Sequence, residues 1–347
     1  MNYSLLEKLT IVIFTYNRHK YLKRAINYWS NYQVKLLILD GSDVKLNDPC
    51  LNSKNINYIY DTSGLYERLK NSGDYIDTEF TILSCDDEFY LPSSLCSCIK
   101  YLLEESEYSS CGGRALGFGT YNNKIYGVEV YPKLVDRVLN HDSPLERIYN
   151  HFYIYVPSHH YSVIRSEKFK LISKLVFEKK YSMYGGSELQ FEFLVILSGK
   201  SKILPQLMWM RNKEVPQITF GLPQVKFKKW WVDKNYENEK KNFLDIMKKA
   251  SDEVLDSKSI KITEDNIVML FELYISKPVF KKNPLKKIYN FIQHQIKKII
   301  KLIFKREKIR YNSLIDQAKI LASQGVSINY KELDNVILIL KNSNNKN

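Results

Sequence analysis

Cysteine is scarce, with five residues in 347: Cys50, Cys85, Cys96, Cys98 and Cys111. An odd, scattered set gives no disulfide framework, so a reducing compartment is expected. Cys96-x-Cys98 with Cys111 matches no standard zinc spacing and reads better as buried thiols. Glycine is missing where a phosphate loop would need it, since residues 14–18, at a strand-to-helix junction, hold none. No apolar run approaches the roughly 20 residues of a membrane-spanning helix. The first residues lack a basic stretch followed by an apolar core, so no signal peptide is expected. No internal repeat and no nucleic-acid-reading module is visible, and the tyrosines are not interleaved with basic residues as a stacking platform.

What is present follows an α/β order. Residues 9–14 (Leu-Thr-Ile-Val-Ile-Phe) form a β-branched run of the kind buried in parallel sheets, and it ends at Thr15-Tyr16-Asn17-Arg18. Tyr21, Leu22, Ala25, Ile26 and Trp29 then recur at helical spacing. A second run, 34–39, ends at Asp40-Gly41-Ser42-Asp43, and a third, 56–60, ends at Asp61-Thr62-Ser63-Gly64. A fourth, 80–85, runs into Asp86-Asp87-Glu88 before Pro92 opens a helix. Ligands of open α/β sheets sit at the carboxyl ends of the strands. Adjacent carboxylates there repel unless a cation intervenes, and Mg²⁺ commonly joins one or two carboxylates to substrate phosphates. The alternative from these residues alone is a solvated acidic turn at a helix N-terminus.

Three of these motifs together resemble the family 2-like GT-A glycosyltransferases of bacterial surface-glycan assembly. Residues 10–29 are similar to that family's opening strand, Thr-Tyr-Asn-Arg and helix; residues 37–42 to its second strand ending Asp-Gly-Ser; residues 75–95 to its metal-binding strand. The likeness covers roughly the first 110 residues well and 180–200 loosely. Where the family pattern is Asp-x-Asp, this chain has Ser84-Cys85-Asp86, so the first acid is missing. The resemblance implies a Rossmann-like, mainly parallel sheet flanked by helices. It also implies a hexosyltransferase-type enzyme with a nucleotide-sugar donor, a glycan or lipid-linked acceptor, and inversion at the transferred sugar. Thr15, Tyr16, Asn17, Arg18, Asp40, Gly41, Ser42 and Asp86 would hold the nucleotide sugar. Asp86 and Asp87, with Glu88 as a third candidate, would hold Mg²⁺ or Mn²⁺. Two rivals stay open: a sugar nucleotidyltransferase, which residues 14–18 disfavour for want of glycine, and an inactive membrane-binding module, which Ser84 encourages.

Gly185-Gly186-Ser187-Glu188 opens a helix with apolar positions at Leu189, Phe193, Leu194 and Leu197. By the resemblance, Glu188 is the catalytic base and Glu192, one turn on, the fallback. A helix N-terminus should favour the ionised form of Glu188. The hairpin expected around residues 121–124 and the helix over 143–152 fall in the acceptor half. His159-His160 precede what reads as a strand over 159–165, so at most one of them would face the site, as a metal or phosphate contact; otherwise both simply pack.

The net charge of +14 is localised. Residues 277–310 carry twelve Lys or Arg against one acid, Glu307, so eleven of the fourteen excess charges lie there. Leu285, Ile288, Ile292, Ile296, Ile299, Ile300, Ile303 and Phe304 fall at helical spacing, with lysines between them. Such a basic amphipathic helix suits an anionic membrane surface; an apolar stripe docked on the protein is the other reading. The expected organisation is a catalytic domain over 1–225, with a nucleotide and metal half (1–110) and an acceptor half (111–225). A helical extension over 226–347 would follow a linker at 205–223. The expected location is the cytoplasmic face of the cell membrane, with no nucleic-acid partner.

Overall fold

The computed structural model describes residues 3–121, 124–183, 185–213, 225–255, 261–276 and 312–344. The first third alternates strand and helix: β1 (Leu9–Thr15), α1 (His19–Trp29), β2 (Lys35–Asp40), β3 (Ile56–Tyr60), α2 (Leu65–Asn71), β4 (Phe80–Cys85), β5 (Phe89–Tyr90) and α3 (Pro92–Glu104). There follow β6 (Tyr108–Tyr121), β7 (Lys124–Glu129), β8 (Val138–Leu139), α4 (Pro144–Tyr153), β9 (Val163–Arg165), α5 (Ser166–Val176), α6 (Gly186–Leu197) and β10 (Lys200–Asn212). The remaining described elements are helices: α7 (Phe227–Val232), α8 (Glu237–Val254), α9 (Glu264–Ser276), α10 (Leu314–Ser323) and α11 (Tyr330–Asn344).

All the strands join one sheet in the order β3-β2-β1-β4-β9-β6-β10-β5, with β7 on β6 and β8 on β10. β1 lies parallel between β2 and β4, and β3 extends the parallel half. β9 is antiparallel to both β4 and β6 and joins the two halves. The β-branched runs bury both faces. Ile11, Ile13, Leu36, Ile38 and Ile82 enter one core layer with α1, α3, α10 and α11. Val12, Leu37, Leu39 and Leu83 enter the other with α4, α5, α6, α8 and α9. Residues one apart on a strand point to opposite faces, so two layers follow from one continuous run.

The C-terminal helices are therefore split between the two faces. Trp230, Phe243 and Phe271 pack beneath α6. Leu314, Ala318, Leu333 and Val336 close the opposite layer. Glu332 of α11 accepts hydrogen bonds from Ser93 N (2.9 Å) and Ser93 Oγ (2.8 Å) at the start of α3, and from Tyr3 Oη (2.9 Å).

Two sequence expectations are corrected. Residues 205–212 are not linker but the second half of β10. Pro205 sits where the β10–β6 register shifts, a position that tolerates a missing N–H, and its carbonyl accepts from Ser327 N (2.8 Å). His159–Tyr161 form a 3-10 turn, and the strand starts only at Val163, so the two histidines do not alternate across a sheet. The hairpin is present as β6–β7, with Tyr121 opposite Lys124. Among the described residues no helix is long and apolar enough to cross a membrane. The basic segment 277–310 lies outside the described residues.

Candidate active site

The carboxyl ends of β1, β2 and β4 lie side by side and bring the predicted residues to one edge. At β1, Thr15 Oγ1 donates to Asp86 Oδ2 (2.7 Å). Asn17 takes a left-handed backbone (φ 54°), which asparagine tolerates better than most residues. That turn aims its backbone N–H at Ser42 Oγ (2.8 Å). Its side chain exchanges two hydrogen bonds with Asp43: Nδ2 donates to Oδ2 (2.8 Å), and Oδ1 accepts from Asp43 N (3.0 Å). Tyr16 is exposed and donates to Asp43 Oδ1 (3.1 Å).

Asp40 is fully buried, and its carboxylate accepts from Ser42 N (2.8 Å) and Tyr58 Oη (2.6 Å), with His19 Nε2 at 3.3 Å. It shapes the Gly41–Ser42 turn from below. Gly41 allows a close approach: a Cβ there would stand 1.4 Å from Arg68 Nη1, and the guanidinium would have to move. Arg68, on α2, was not singled out from sequence. The residue is 4 % exposed; its guanidinium lies over Gly41 and donates weakly to Asp61 O (3.4 Å), while Nε has no hydrogen-bond partner. Burial lowers its proton affinity, against the pull of Asp61 and Asp40. A buried cation with spare donors at a strand-end turn is an anion-binding feature. The only sequence signal was Arg68 following the Asp61-Thr62-Ser63-Gly64 turn by four residues.

At β4, Arg18 bridges two acids, with Nη1 3.1 Å from Asp86 Oδ1 and Nη2 2.5 Å from Asp87 Oδ2. Asn212 Nδ2 also donates to Asp87 (3.1 Å). Glu88 accepts from Trp209 Nε1 (2.8 Å), with Arg211 Nε at 3.9 Å. Burial raises Asp86 to about 7, Arg18 opposing and Asp87 adding to the rise. Burial and Asp87 raise Glu88 to about 8. Arg18 thus bridges two of the three buried acids, and Glu88 has Arg211 at the longer distance. Ligand atoms of Cys85, Asp87 and Glu88 come within 4.8 Å of one another. The carboxylate oxygens suit a hard divalent cation, and the surplus negative charge is what such an ion would relieve. The thiol does not suit it, and Arg18 competes for the same oxygens.

Glu188 lies in the first turn of α6, which follows Gly185 at φ 75°. Its Oε1 accepts from Tyr155 Oη (3.1 Å). The expected helix-terminus effect does not dominate. Burial raises the proton affinity of Glu188, and only the Tyr155 hydroxyl offsets it. Two contacts tie this turn to the strand ends. Ser187 Oγ donates to Tyr66 Oη (3.0 Å) on α2, two residues before Arg68. Tyr161 stacks on Trp209 (4.3 Å between centroids), the partner of Glu88, and its hydroxyl feels the charges of Glu88 and Glu188.

Glu192 is wholly buried; Oε1 accepts from His160 N (2.7 Å), and Oε2 lies 3.2 Å from His151 Nε2. His159 is buried against Ser201 Oγ (2.9 Å) and is lowered to about 3 by burial and Arg137; burial lowers His160 to about 4. By surface area His159 is buried and His160 half-buried. A hollow lined by Ser30, Gln33, Lys35 and Asn55 sits at the opposite, amino ends of the strands, away from this chemistry.

No family model and no curated protein matches the sequence. Solved structures do. The crystal structure of S. aureus TarS 1–349 in complex with UDP-GlcNAc matches with a TM-score of 0.52 and 12 % identity, over 80 % of this chain and 75 % of that one. The corresponding complex with UDP matches with a TM-score of 0.50 and 11 % identity over the same shares. Against the longer TarS structure the match spans 43 % of that chain. At such identities the likeness bears on architecture alone, and that architecture is a mixed α/β, GT-A-like fold with a large curled sheet flanked by helices.

Proposed function

We propose that this protein is a glycosyltransferase that moves a sugar from a nucleotide-sugar donor to a hydroxyl of a glycan or lipid-linked acceptor. One observation carries the reading: the strand-end acids, the Asn17–Ser42 turn with Arg68, and the helix-tip Glu188 are tied to a single edge of a GT-A-like sheet. The bound UDP-GlcNAc and UDP of the similar structures favour a uridine-type donor. Thr15, Tyr16, Asn17 and Ser42 line the nucleotide turn, and Arg68 supplies its buried positive charge. Asp87 and Glu88, with Asp86, would hold Mg²⁺ or Mn²⁺, which supplies charge neutralisation for the departing diphosphate.

Glu188 acts as the base. It accepts the proton of the acceptor hydroxyl as that oxygen attacks the anomeric carbon from the face opposite the nucleotide, and the configuration inverts. Burial strengthens the base, since a raised proton affinity favours transfer near neutral pH. The transition state has oxocarbenium character, as in glycoside hydrolysis. The setting is surface-polysaccharide assembly at the inner membrane face, supported by the charge of residues 277–310.

Incubation with a panel of nucleotide sugars and Mn²⁺ tests this. Free nucleoside diphosphate is expected. Nucleoside triphosphate and sugar 1-phosphate formed when pyrophosphate is added would indicate a nucleotidyltransferase, and no turnover would favour the inactive module, the reading that Ser84 and the Arg18 bridge support. Asp87→Asn should weaken Mn²⁺-dependent nucleotide binding by about 10–100-fold. Unchanged Mn²⁺ dependence would remove Asp87 from the ligand set.

A further inference from the structure

Beneath Glu188 lies a second, fully enclosed polar cluster that the proposed chemistry does not use. Arg137 Nη1 donates to Ile154 O (2.7 Å), and Nη2 donates to His151 Nδ1 (2.8 Å) and His151 O (3.2 Å). His151 Nε2 lies 3.2 Å from Glu192 Oε2, and Glu192 Oε1 accepts from His160 N. His151 and Glu192 are inaccessible to solvent, and Arg137 nearly so. These residues come from the loop before β8, from α4, from α6 and from the 3-10 turn carrying Tyr161.

Ligand atoms of His151, His159 and Glu192 lie within 4.8 Å of one another, close enough to suggest a metal centre. The hydrogen bonding argues otherwise. Because Arg137 donates to Nδ1, that nitrogen presents a lone pair, and the proton of neutral His151 sits on Nε2, facing Glu192. A protonated Nε2 has no lone pair for a metal. Arg137 also places a buried positive charge next to the cluster. Burial raises the proton affinity of Glu192 well above the ordinary carboxylate range, and the His160 N–H and the buried charge of Arg137 oppose the rise. An ionised Glu192 would be the counter-charge of Arg137 in this enclosure.

We propose that Arg137, His151 and Glu192 form a buried positioning relay that fixes the orientation and sets the basicity of Glu188. The inference rests on the reading of Glu188 as the base. Glu188 and Glu192 are four residues apart on α6 and so occupy the same face. The Tyr155 hydroxyl that bonds Glu188 belongs to a ring packed on His151 (5.3 Å between centroids) and on Tyr274 of α9. The relay therefore grips Glu188 from two sides, through the helix and through Tyr155. An anion one turn below makes protonation of Glu188 easier, which strengthens the base. The titratable groups facing Glu188 are Tyr155, Tyr161, Tyr274 and Glu192.

The test compares pH profiles of full-length variants with a nucleotide sugar. Glu192→Gln removes the charge but keeps the shape. It should leave KM for the donor within about twofold and move the acid limb of kcat down by on the order of one pH unit. Tyr155→Phe deletes the hydroxyl that favours ionised Glu188 and should move the same limb upward. An unmoved limb in both, with Glu188→Gln inactive, overturns the relay while leaving the base intact. An active Glu188→Gln variant would overturn the base, and the relay with it. Should Glu192→Gln fail to fold, ¹⁵N NMR of the wild-type histidines decides: a proton on His151 Nε2 is expected. A proton on Nδ1, or one tightly bound metal ion per chain that is lost in His159→Gln, refutes the relay.

Discussion

The acids at the end of β4 and the acids of α6 are both buried, yet the fold neutralises them by different means. Asp86 and Asp87 meet Arg18 directly, at a position whose side chain keeps 17 % of its surface in solvent. Glu192 meets Arg137 only through an imidazole, in an enclosed interior. A direct, partly wet ion pair can exchange partners, so Arg18 can yield its carboxylates to a cation or turn toward an anionic ligand. The imidazole-mediated pair has no such freedom and serves to hold geometry. The first arrangement suits binding and release, and the second suits a base that must not move.

The sharpest way to break this comparison is at Glu188 itself. Glu188→Gln keeps the hydrogen bond with Tyr155 but cannot accept a proton. Turnover should fall by about 10²–10⁴-fold, with nucleotide affinity little changed. If turnover survives, the α6 acids are structural and the contrast loses its functional half.

Next in size is Arg18→Ala, which strands two buried carboxylates. Breaking one side of a buried pair typically costs 3–5 kcal/mol, and the partial exposure of Arg18 reduces this to about 2–3 kcal/mol. Mn²⁺ should restore more thermal stability to this variant than to the wild type, because the ion takes the place of the guanidinium. Equal stabilisation of both would mean that the cation binds elsewhere.

The strand ends were legible because chemistry and periodicity coincide there. Largely apolar runs at 9–14, 34–39 and 80–85, the first rich in β-branched residues, lead into polar residues, and adjacent parallel strands must bring those termini together. Arg68 was not legible: it reaches Gly41 from a helix four residues beyond the turn, and helical spacing says nothing about which strand end its guanidinium will cover. His151 and Arg137 were missed for the same reason, since their partners lie 41 residues downstream and 14 residues apart. The strand through Pro205 was hidden because proline reads as punctuation, whereas here a C-terminal segment at Ser327 pairs beside it. In each miss the deciding contact is distant in sequence and made by a side chain or an added strand.

A pH experiment sharpens the contrast further. Asp86 and Glu88 have folded-state values of about 7 and about 8, above the unfolded carboxylate range near 4. For acids raised on folding, the native state holds more protons than the unfolded chain between those limits. Their contribution to stability is thus fully present below about pH 4 and lost as the pH rises through 7 to 8. We expect the metal-free protein to lose stability from this cluster between pH 5 and pH 8. Asp86→Asn or added Mn²⁺ should flatten that slope in urea melts. A slope unchanged by either would assign the loss to other groups.

The smallest expected effect comes from a third buried acid, which needs no arginine at all. Glu332 on α11 accepts from Ser93 N, Ser93 Oγ and Tyr3 Oη and so caps the first turn of α3 from across the core. Burial raises its proton affinity, and these donors oppose the rise. Among the described residues its carboxylate bonds Ser93 and Tyr3 and no residue of the strand-end turn, so it serves as the control for the other two acid clusters. Glu332→Gln exchanges one acceptor oxygen for an amide that faces donors, which should cost about 1 kcal/mol of stability. Turnover at saturating donor and its pH profile should not change. A shifted urea midpoint with unchanged kinetics would separate acids that merely hold helices from those that act on substrate. A kinetic change in a stably folded variant would instead mean that α11 is coupled to the site through α3.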